Sequence, residues 1–197
     1  MMRKLVTALA AVPVLSLGLA LPASAAVPMS HAAASCGVWR WPVKTGSDAD
    51  RFKVDKTTIV TTIQHLRSLK APSSFAGFQR RRFRGAERHT WQLDRVRLTA
   101  YRIEDDSDIH LVIRNAAGKT MIAEIPNPRC VSSKSLWRSQ IAAARKAFMA
   151  RDHATTSWKH VHQRITLRGL GFFDEIHDVT GQAPNGIELH PVTGVRF

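Results

Sequence analysis

The rhythm of hydrophobic and polar positions changes along the chain, and each change marks an element. Leu5 to Leu21 is apolar, preceded by Met1-Met-Arg-Lys4 and followed by Ala23-Ser-Ala25. A positive start, an apolar run and a small-residue cleavage site predict an export signal over residues 1–25. A small polar lead without periodicity, 26–35, follows it. Cys36 to Asp50 mixes aromatic, turn and acidic residues, which suits an ordered loop anchored by Trp39 and Trp41. Lys56 to Leu69 places Ile59, Ile63, Leu66 and Leu69 near helical spacing and predicts a short helix, although Thr57, Thr58, Thr61 and Thr62 weaken it. With the basic run Gln79-Arg-Arg-Arg-Phe-Arg84, these residues form an N-terminal extension over 36–87.

From Arg88 the period shortens to two. Trp91 to Glu104 reads as a long strand in which Trp91 and Leu93 hold one phase and Val96, Leu98 and Ala100 the other; that slip predicts a bulge or bend. Asp105-Asp-Ser-Asp108 is a turn. Ile109–Arg114 and Thr120–Ile125 form a hairpin around Asn115-Ala-Ala-Gly-Lys119. A helix follows Ser135, with Trp137, Ile141, Ala144 and Phe148 on one face. Lys159–Arg168 alternates as a fourth strand, and Gly186–Val192 gives the fifth. Three strands, a helix and two strands is the order of an OB-type barrel. The expected fold is therefore mainly β (α+β): an OB-like five-stranded barrel over 88–197, one helix between strands 3 and 4, and the extension.

The cysteines change that picture in one respect. Cys36 and Cys130 are the only two, and in an oxidising compartment one disulfide is the simplest outcome. It would tie the extension to the barrel by closing a loop of roughly 95 residues, stabilising by about 4–5 kcal/mol on the chain-entropy model. No segment after the signal is apolar enough to span a bilayer, so the expected location is secreted and extracellular. The formal net charge is +14, and losing the signal removes only Arg3 and Lys4, leaving about +12. Such a charge favours nucleic acid or another polyanion as partner.

Leu98 to Ile113, with its strand, acidic turn and second strand, and Lys119 to Pro128, with its proline-containing exit, resemble the staphylococcal-nuclease branch of the OB fold. That resemblance implies Ca²⁺ held by carboxylates and arginines that stabilise a phosphoryl transition state. Asp106 and Asp108 occupy the matching acidic turn. Met121 and Ile122 stand where that family has an arginine, Pro126, Asn127 and Arg129 where it has acids, and Asn185-Gly186 where it has a second arginine. The scaffold is similar; the catalytic set is not. The segments Arg40-Trp-Pro-Val-Lys-Thr-Gly-Ser-Asp-Ala-Asp50, Asp106-Ser-Asp-Ile-His-Leu-Val112, Met121-Ile-Ala-Glu-Ile-Pro126, Gly171-Phe-Phe-Asp174 and Asn185-Gly-Ile-Glu-Leu-His-Pro-Val192 are also similar to those of an uncharacterised family of secreted bacterial proteins. This likeness spans nearly the whole chain after the signal and implies no particular activity.

The candidate chemistry gathers toward the C-terminus. If Arg114 pairs with Lys119 or Thr120, His110 falls opposite Ala123 or Glu124. Glu188 and His190 share a face of the fifth strand, and Asp174 and His177 lie on the loop leading to it. His110, Glu124, His177, Glu188 and His190 are thus the candidate catalytic residues. Asp174, His177, Glu188 and His190 are candidate ligands for a divalent metal such as Zn²⁺ or Ca²⁺. The same residues would also serve as a hydrogen-bonded brace. Arg80, Arg81, Arg82 and Arg84, flanked by Phe78 and Phe83, could track a phosphate backbone, and Asn185 completes the candidate ligand-binding set. Asp105, Asp106 and Asp108 could bind Ca²⁺ or simply be solvated, and Asp48 and Asp50 suit an Asx-type turn. The leading expectation is a secreted basic domain binding an anionic ligand, with nucleic acid first. The alternatives are a divalent-metal-dependent phosphodiesterase and an envelope-associated interaction protein whose polar cluster is purely structural.

Overall fold

The computed structural model describes residues 35–197. The expected export signal, and the lead apart from Ser35, lie outside the described residues. The elements are α1 (Trp41–Lys44), β1 (Asp55–Thr61), α2 (Ile63–Ser68), β2 (His89–Ile103), β3 (Ile109–Arg114), β4 (Thr120–Ile125), α3 (Arg138–Asp152), β5 (Lys159–Phe173) and β6 (Ile187–Arg196). Among the described residues no helix is long and apolar enough to cross a membrane.

The helix expected over Lys56–Leu69 is mostly a strand. Thr57, Thr58, Ile59, Val60 and Thr61 are all β-branched, and their restricted side-chain torsions favour a pleated backbone. β1 runs parallel to β2 with Ile59 opposite Trp91, which adds a strand to the five expected. Helix begins only where Thr62 caps it, accepting the His65 N–H at 3.1 Å.

The sheet order is β1-β2-β3-β4-β6-β5, and β2 also pairs with β5. Hydrogen bonding therefore passes from β2 through β3, β4, β6 and β5 and back to β2, with β4–β6 the parallel step. One long, bent strand, β2, serves three neighbours: β1, β3 and β5. Register shifts fall between Leu93 and Val96 and between Leu98 and Ala100, and Arg95 sits in the left-handed region at φ 46°. The first is the slip implied by the change of phase in the sequence; the second, between Leu98 and Ala100, is not.

β5 runs five residues past its expected end at Arg168, through Gly169-Leu-Gly-Phe-Phe173. The glycines there are spacers, not turn residues. A Cβ on Gly171 would stand 2.2 Å from the Ala86 carbonyl oxygen, and one on Gly169 2.8 Å from that of Pro191. Leu93, Leu98, Leu111, Ile113, Met121, Ile165, Leu167 and Leu189 fill the interior together with Phe148 from α3. Ile63, Leu66 and Ala86 join the same cluster, so the core runs without a break across the 87/88 boundary.

The extension is pinned by buried charge. Arg40, fully buried, forms a two-pronged pair with Glu87 at 2.8 Å on each prong and donates to the Phe173 carbonyl at 2.9 Å. Glu87 also accepts the N–H groups of Phe83 and Phe173. The Arg40 guanidinium lies 4.8 Å from the Phe172 ring centre and 4.9 Å from that of Phe83. Arg82 pairs with buried Asp48 at 2.9 Å and donates to the Val43 and Glu87 carbonyls. The Cys36–Cys130 disulfide, separated by 94 positions, ties down the extension's start.

Removing one member of such a pair strands the other in a dry site. Arg40→Met is expected to lower stability by about 3–5 kcal/mol in urea unfolding. Arg40→Lys keeps the charge without the planar fork and should recover only part of it. A loss under about 1 kcal/mol for Arg40→Met would show that Glu87 is not dependent on the guanidinium.

Candidate functional site

Strand alternation builds the site. Ile109, Leu111 and Ile113 of β3, Met121, Ala123 and Ile125 of β4, and Ile187 and Leu189 of β6 point into the core. His110, Glu124, Glu188 and His190 therefore share the opposite face of three adjoining strands. Arg114 pairs with Thr120, which sets His110 opposite Glu124, and Ile122 stands beside Glu188 in the parallel step. Of the two registers the sequence allows, this is the one that brings the imidazole to the carboxylate.

Glu124 lies between the two imidazoles. Its Oε1 is 3.2 Å from His110 Nδ1 and its Oε2 3.0 Å from His190 Nδ1. Glu104 Oε1 approaches His110 Nδ1 at 3.3 Å, and Glu188 Oε2 approaches His190 Nδ1 at 3.8 Å. The far ring nitrogens are also engaged: His110 Nε2 donates to the Thr180 carbonyl at 2.9 Å, and His190 Nε2 to Asp108 Oδ2 at 3.2 Å. A carbonyl only accepts, so His110 Nε2 must carry hydrogen. In a neutral ring, Nδ1 would then aim a lone pair at carboxylate lone pairs. The contact is favourable only with a cation at Nδ1, a proton or a metal. The oxygens are close but off the N–H direction, so neither Nδ1, nor Glu188 Oε2, completes a well-angled hydrogen bond within the protein.

Loops finish the arrangement. Asp108 arrives from the turn after β2, and its second oxygen accepts the Asn127 N–H at 3.1 Å. Asp174 follows β5 and accepts from His177 Nε2 at 3.4 Å. Its backbone is held by the Gly186 carbonyl at 2.8 Å, where Gly186 takes φ 71°. Lys44, the last residue of α1, places Nζ 3.6 Å from Asp174 and 4.0 Å from Glu124. Lys44, Glu104, His110, Glu124, Asp174 and His177 line a cavity of about 370 Å³, with His177 at its exposed side.

Burial and charge pull the protonation states apart. Burial alone would lower the His110 pKa, but Glu104 and Glu124 outweigh it and raise it to about 10. His190 is likewise held well above its ordinary value, against burial, by Glu124 and Asp108. Glu124 is kept well below the usual carboxylate range despite burial, by His190 and Lys44. Burial, with the charge of Glu124, pushes Glu188 up to about 7, and burial, with Asp108, pushes Asp106 to about 6. Burial would lower Lys44, yet the surrounding carboxylates raise it.

Among the described residues, two groups of ligand atoms lie within metal-holding reach of one another: Glu104, His110 and Glu124, and Asp108, Glu124 and His190. Of the expected ligands Asp174, His177, Glu188 and His190, only His190 belongs to either group; Asp174, His177 and Glu188 line the cavity with His110 and Glu124. The site also takes in Lys44 and Glu104, which the sequence did not single out. Lys44 carried no signal in the sequence; Glu104, closing a strand against an acidic turn, carried a faint one. Asp106 and Asp108 turn inward, whereas Asp105 is exposed.

The other candidates lie elsewhere. Arg82 is buried against Asp48 and faces no ligand, a departure from the expected basic surface segment. The Arg80, Arg81 and Arg84 side chains are exposed. Phe78 and Phe83 stack on each other at 4.0 Å. Asn185 Nδ2 donates to the Leu66 and Leu69 carbonyls, both at 3.0 Å, closing the end of α2. Asp48 does form the Asx-type turn, accepting the Asp50 N–H at 3.0 Å. No protein-family model, curated protein or solved structure matches the chain.

The raised histidines set a direction for pH. Their folded pKa values lie above the unfolded value near 6.5, so their stabilisation is complete below about pH 6.5 and is lost as pH rises through the folded values, about 10 for His110. Glu188 acts in the same sense between about 4.5 and 7. Glu124 acts oppositely, its contribution vanishing in acid. In chelator-treated protein, the melting temperature should fall from about pH 6.5 to pH 10 more steeply than in His110→Gln. Parallel profiles for the two proteins would refute the assignment.

Proposed function

We propose that the five-strand circuit is an OB-like barrel and that its outer cluster is a divalent-metal centre hydrolysing an anionic ester, with a phosphodiester the best fit. Three strands, a helix and two strands, with the last parallel to the third and the fourth returning to the first, is the OB order. One observation carries the metal reading: each buried histidine has Nε2 committed to an acceptor and Nδ1 turned toward carboxylates. Histidines that ligate metals are oriented by an acceptor on the other nitrogen in this manner. Imidazole with carboxylate suits Zn²⁺ or a similar transition ion better than Ca²⁺, which prefers oxygen alone.

Glu104, His110 and Glu124 would hold the ion at the cavity, with His190 and Asp108 behind Glu124. A bound ion supplies an activated water and offsets charge on the ester oxygens. The water's oxygen would bond to phosphorus as its proton passes to solvent, the bond from phosphorus to the ester oxygen would break, and His177, oriented by Asp174, would give the leaving oxygen its proton. Lys44 adds positive charge at the same wall. Export belongs to the same reading, because the Cys36–Cys130 bond is durable in an oxidising compartment.

The test is metal binding by calorimetry, followed by turnover of bis(p-nitrophenyl) phosphate. Zn²⁺ or Mn²⁺ should bind with proton release, and chelation should abolish turnover. His177→Ala, at an exposed position, should keep the fold and metal affinity while losing roughly 10²–10⁴-fold in kcat. Glu104→Gln should weaken metal binding. A parent protein that binds no divalent ion, or whose turnover survives chelation, overturns the proposal.

A further inference from the structure

A second charged surface lies across β5, β2 and β3. Register sets Arg97 directly opposite Arg114 on one side and Arg164 on the other. Directly opposed residues share a face of the sheet, and like charges so placed repel. All three are exposed. Among the described residues, the side chains of Arg97 and Arg114 have no hydrogen-bond or ion-pair partner, and that of Arg164 donates only to the Arg95 carbonyl at 3.0 Å. With His160 and His162 they line a groove of about 550 Å³ that has no acidic residue in its wall. The adjoining hollow, about 220 Å³, shares Arg97, Arg114 and Arg164, adds Arg95, and has Asp94 as its one acid. Asp94 is engaged by the Gln92 amide at 2.8 Å.

We propose that this groove binds the sugar–phosphate backbone of a single nucleic-acid strand. Three guanidinium forks that rise from strands roughly 5 Å apart can each meet a separate phosphate, and Arg pairs with phosphate through two parallel hydrogen bonds. A small anion would satisfy one or two of them and leave the repulsion in place. A flat lipid surface cannot follow a concave groove. No Phe, Tyr or Trp lines the wall, so bases have no stacking platform and recognition is of phosphate, without sequence preference. The arginines are separate from the metal cluster, so either site can fail without the other.

The experiment is fluorescence anisotropy with an oligothymidylate of about a dozen nucleotides, in chelator, across roughly 50–200 mM salt. The parent should bind with an affinity that falls steeply with salt. The triple variant Arg97→Ala/Arg114→Ala/Arg164→Ala should bind at least about tenfold more weakly, with a log–log salt slope smaller by roughly 2. Its melting temperature should equal or exceed the parent's, because opposed like charges have been removed. A charge-matched control on exposed positions of another surface, Lys134→Ala/Arg138→Ala/Lys146→Ala, should retain affinity within a few-fold. The proposal is overturned if the groove variant binds as the parent does, or if the control loses as much. It is also overturned if only Arg80→Ala/Arg81→Ala/Arg84→Ala abolishes binding, or if the parent binds phosphatidylglycerol vesicles but no oligonucleotide.

Discussion

The pairing of Arg40 with Glu87 in a dry interior is the constraint on which the rest of the structure depends. Glu87 sits just before β2, receives the backbone N–H of Phe173 at the end of β5, and faces an arginine from the extension. Three stretches of chain remote in sequence are therefore held by one carboxylate. Because neither charge can be left alone without water, the extension cannot peel away by small steps. Lys44 lies one turn beyond Arg40, so the pair that docks the extension also delivers a cation to the cluster. The N-terminal segment is part of the site, and a boundary drawn at 87/88 would cut through it.

The cluster gains precision from its foundation. His110, Glu124, Glu188 and His190 stand on paired strands, not on loops, and their backbones are fixed by the ladders of β3, β4, β5 and β6. Asp174, His177 and the Thr180 carbonyl come from the segment between β5 and β6, which Gly181 packs on Val112. Lys44, Glu104 and Asp108 come from α1 and the turn after β2. A scaffold of this kind keeps charged groups at close range without their relaxing apart. The resulting field favours protonated histidines and an ionised Glu124, while Glu188 is driven toward its neutral form.

Much of this was legible in the sequence. Period-two alternation located β2 through β6, the phase slip in β2 announced its bend, and paired cysteines foretold the tie. Same-face spacing set Glu188 beside His190, and one of the two hairpin registers the sequence left open was the one that joins His110 to Glu124. What escaped was non-local. A run of β-branched residues looked helical at Ile59 and Ile63 because periodicity there competes with propensity. The expected strand stopped at Arg168, short of Gly169 and Gly171, because only the folded chain shows which backbone comes within a Cβ's reach. The Arg80–Arg84 run reads as a strip that could track phosphates, yet Arg82 turns inward to Asp48, a partner more than thirty positions away. The basic row of Arg97, Arg114 and Arg164 is invisible until three strands are aligned side by side.

Glu124 offers one oxygen to each imidazole, and that sharing has an electrical consequence. A cation settling at one oxygen withdraws negative charge from the whole delocalised carboxylate, so the other oxygen holds its own occupant less tightly. Positive charge at one end of the cluster is thereby coupled to positive charge at the other through a single carboxylate. The pair behaves as a single graded device, and its state reports how many positive charges are present before it reports where they are.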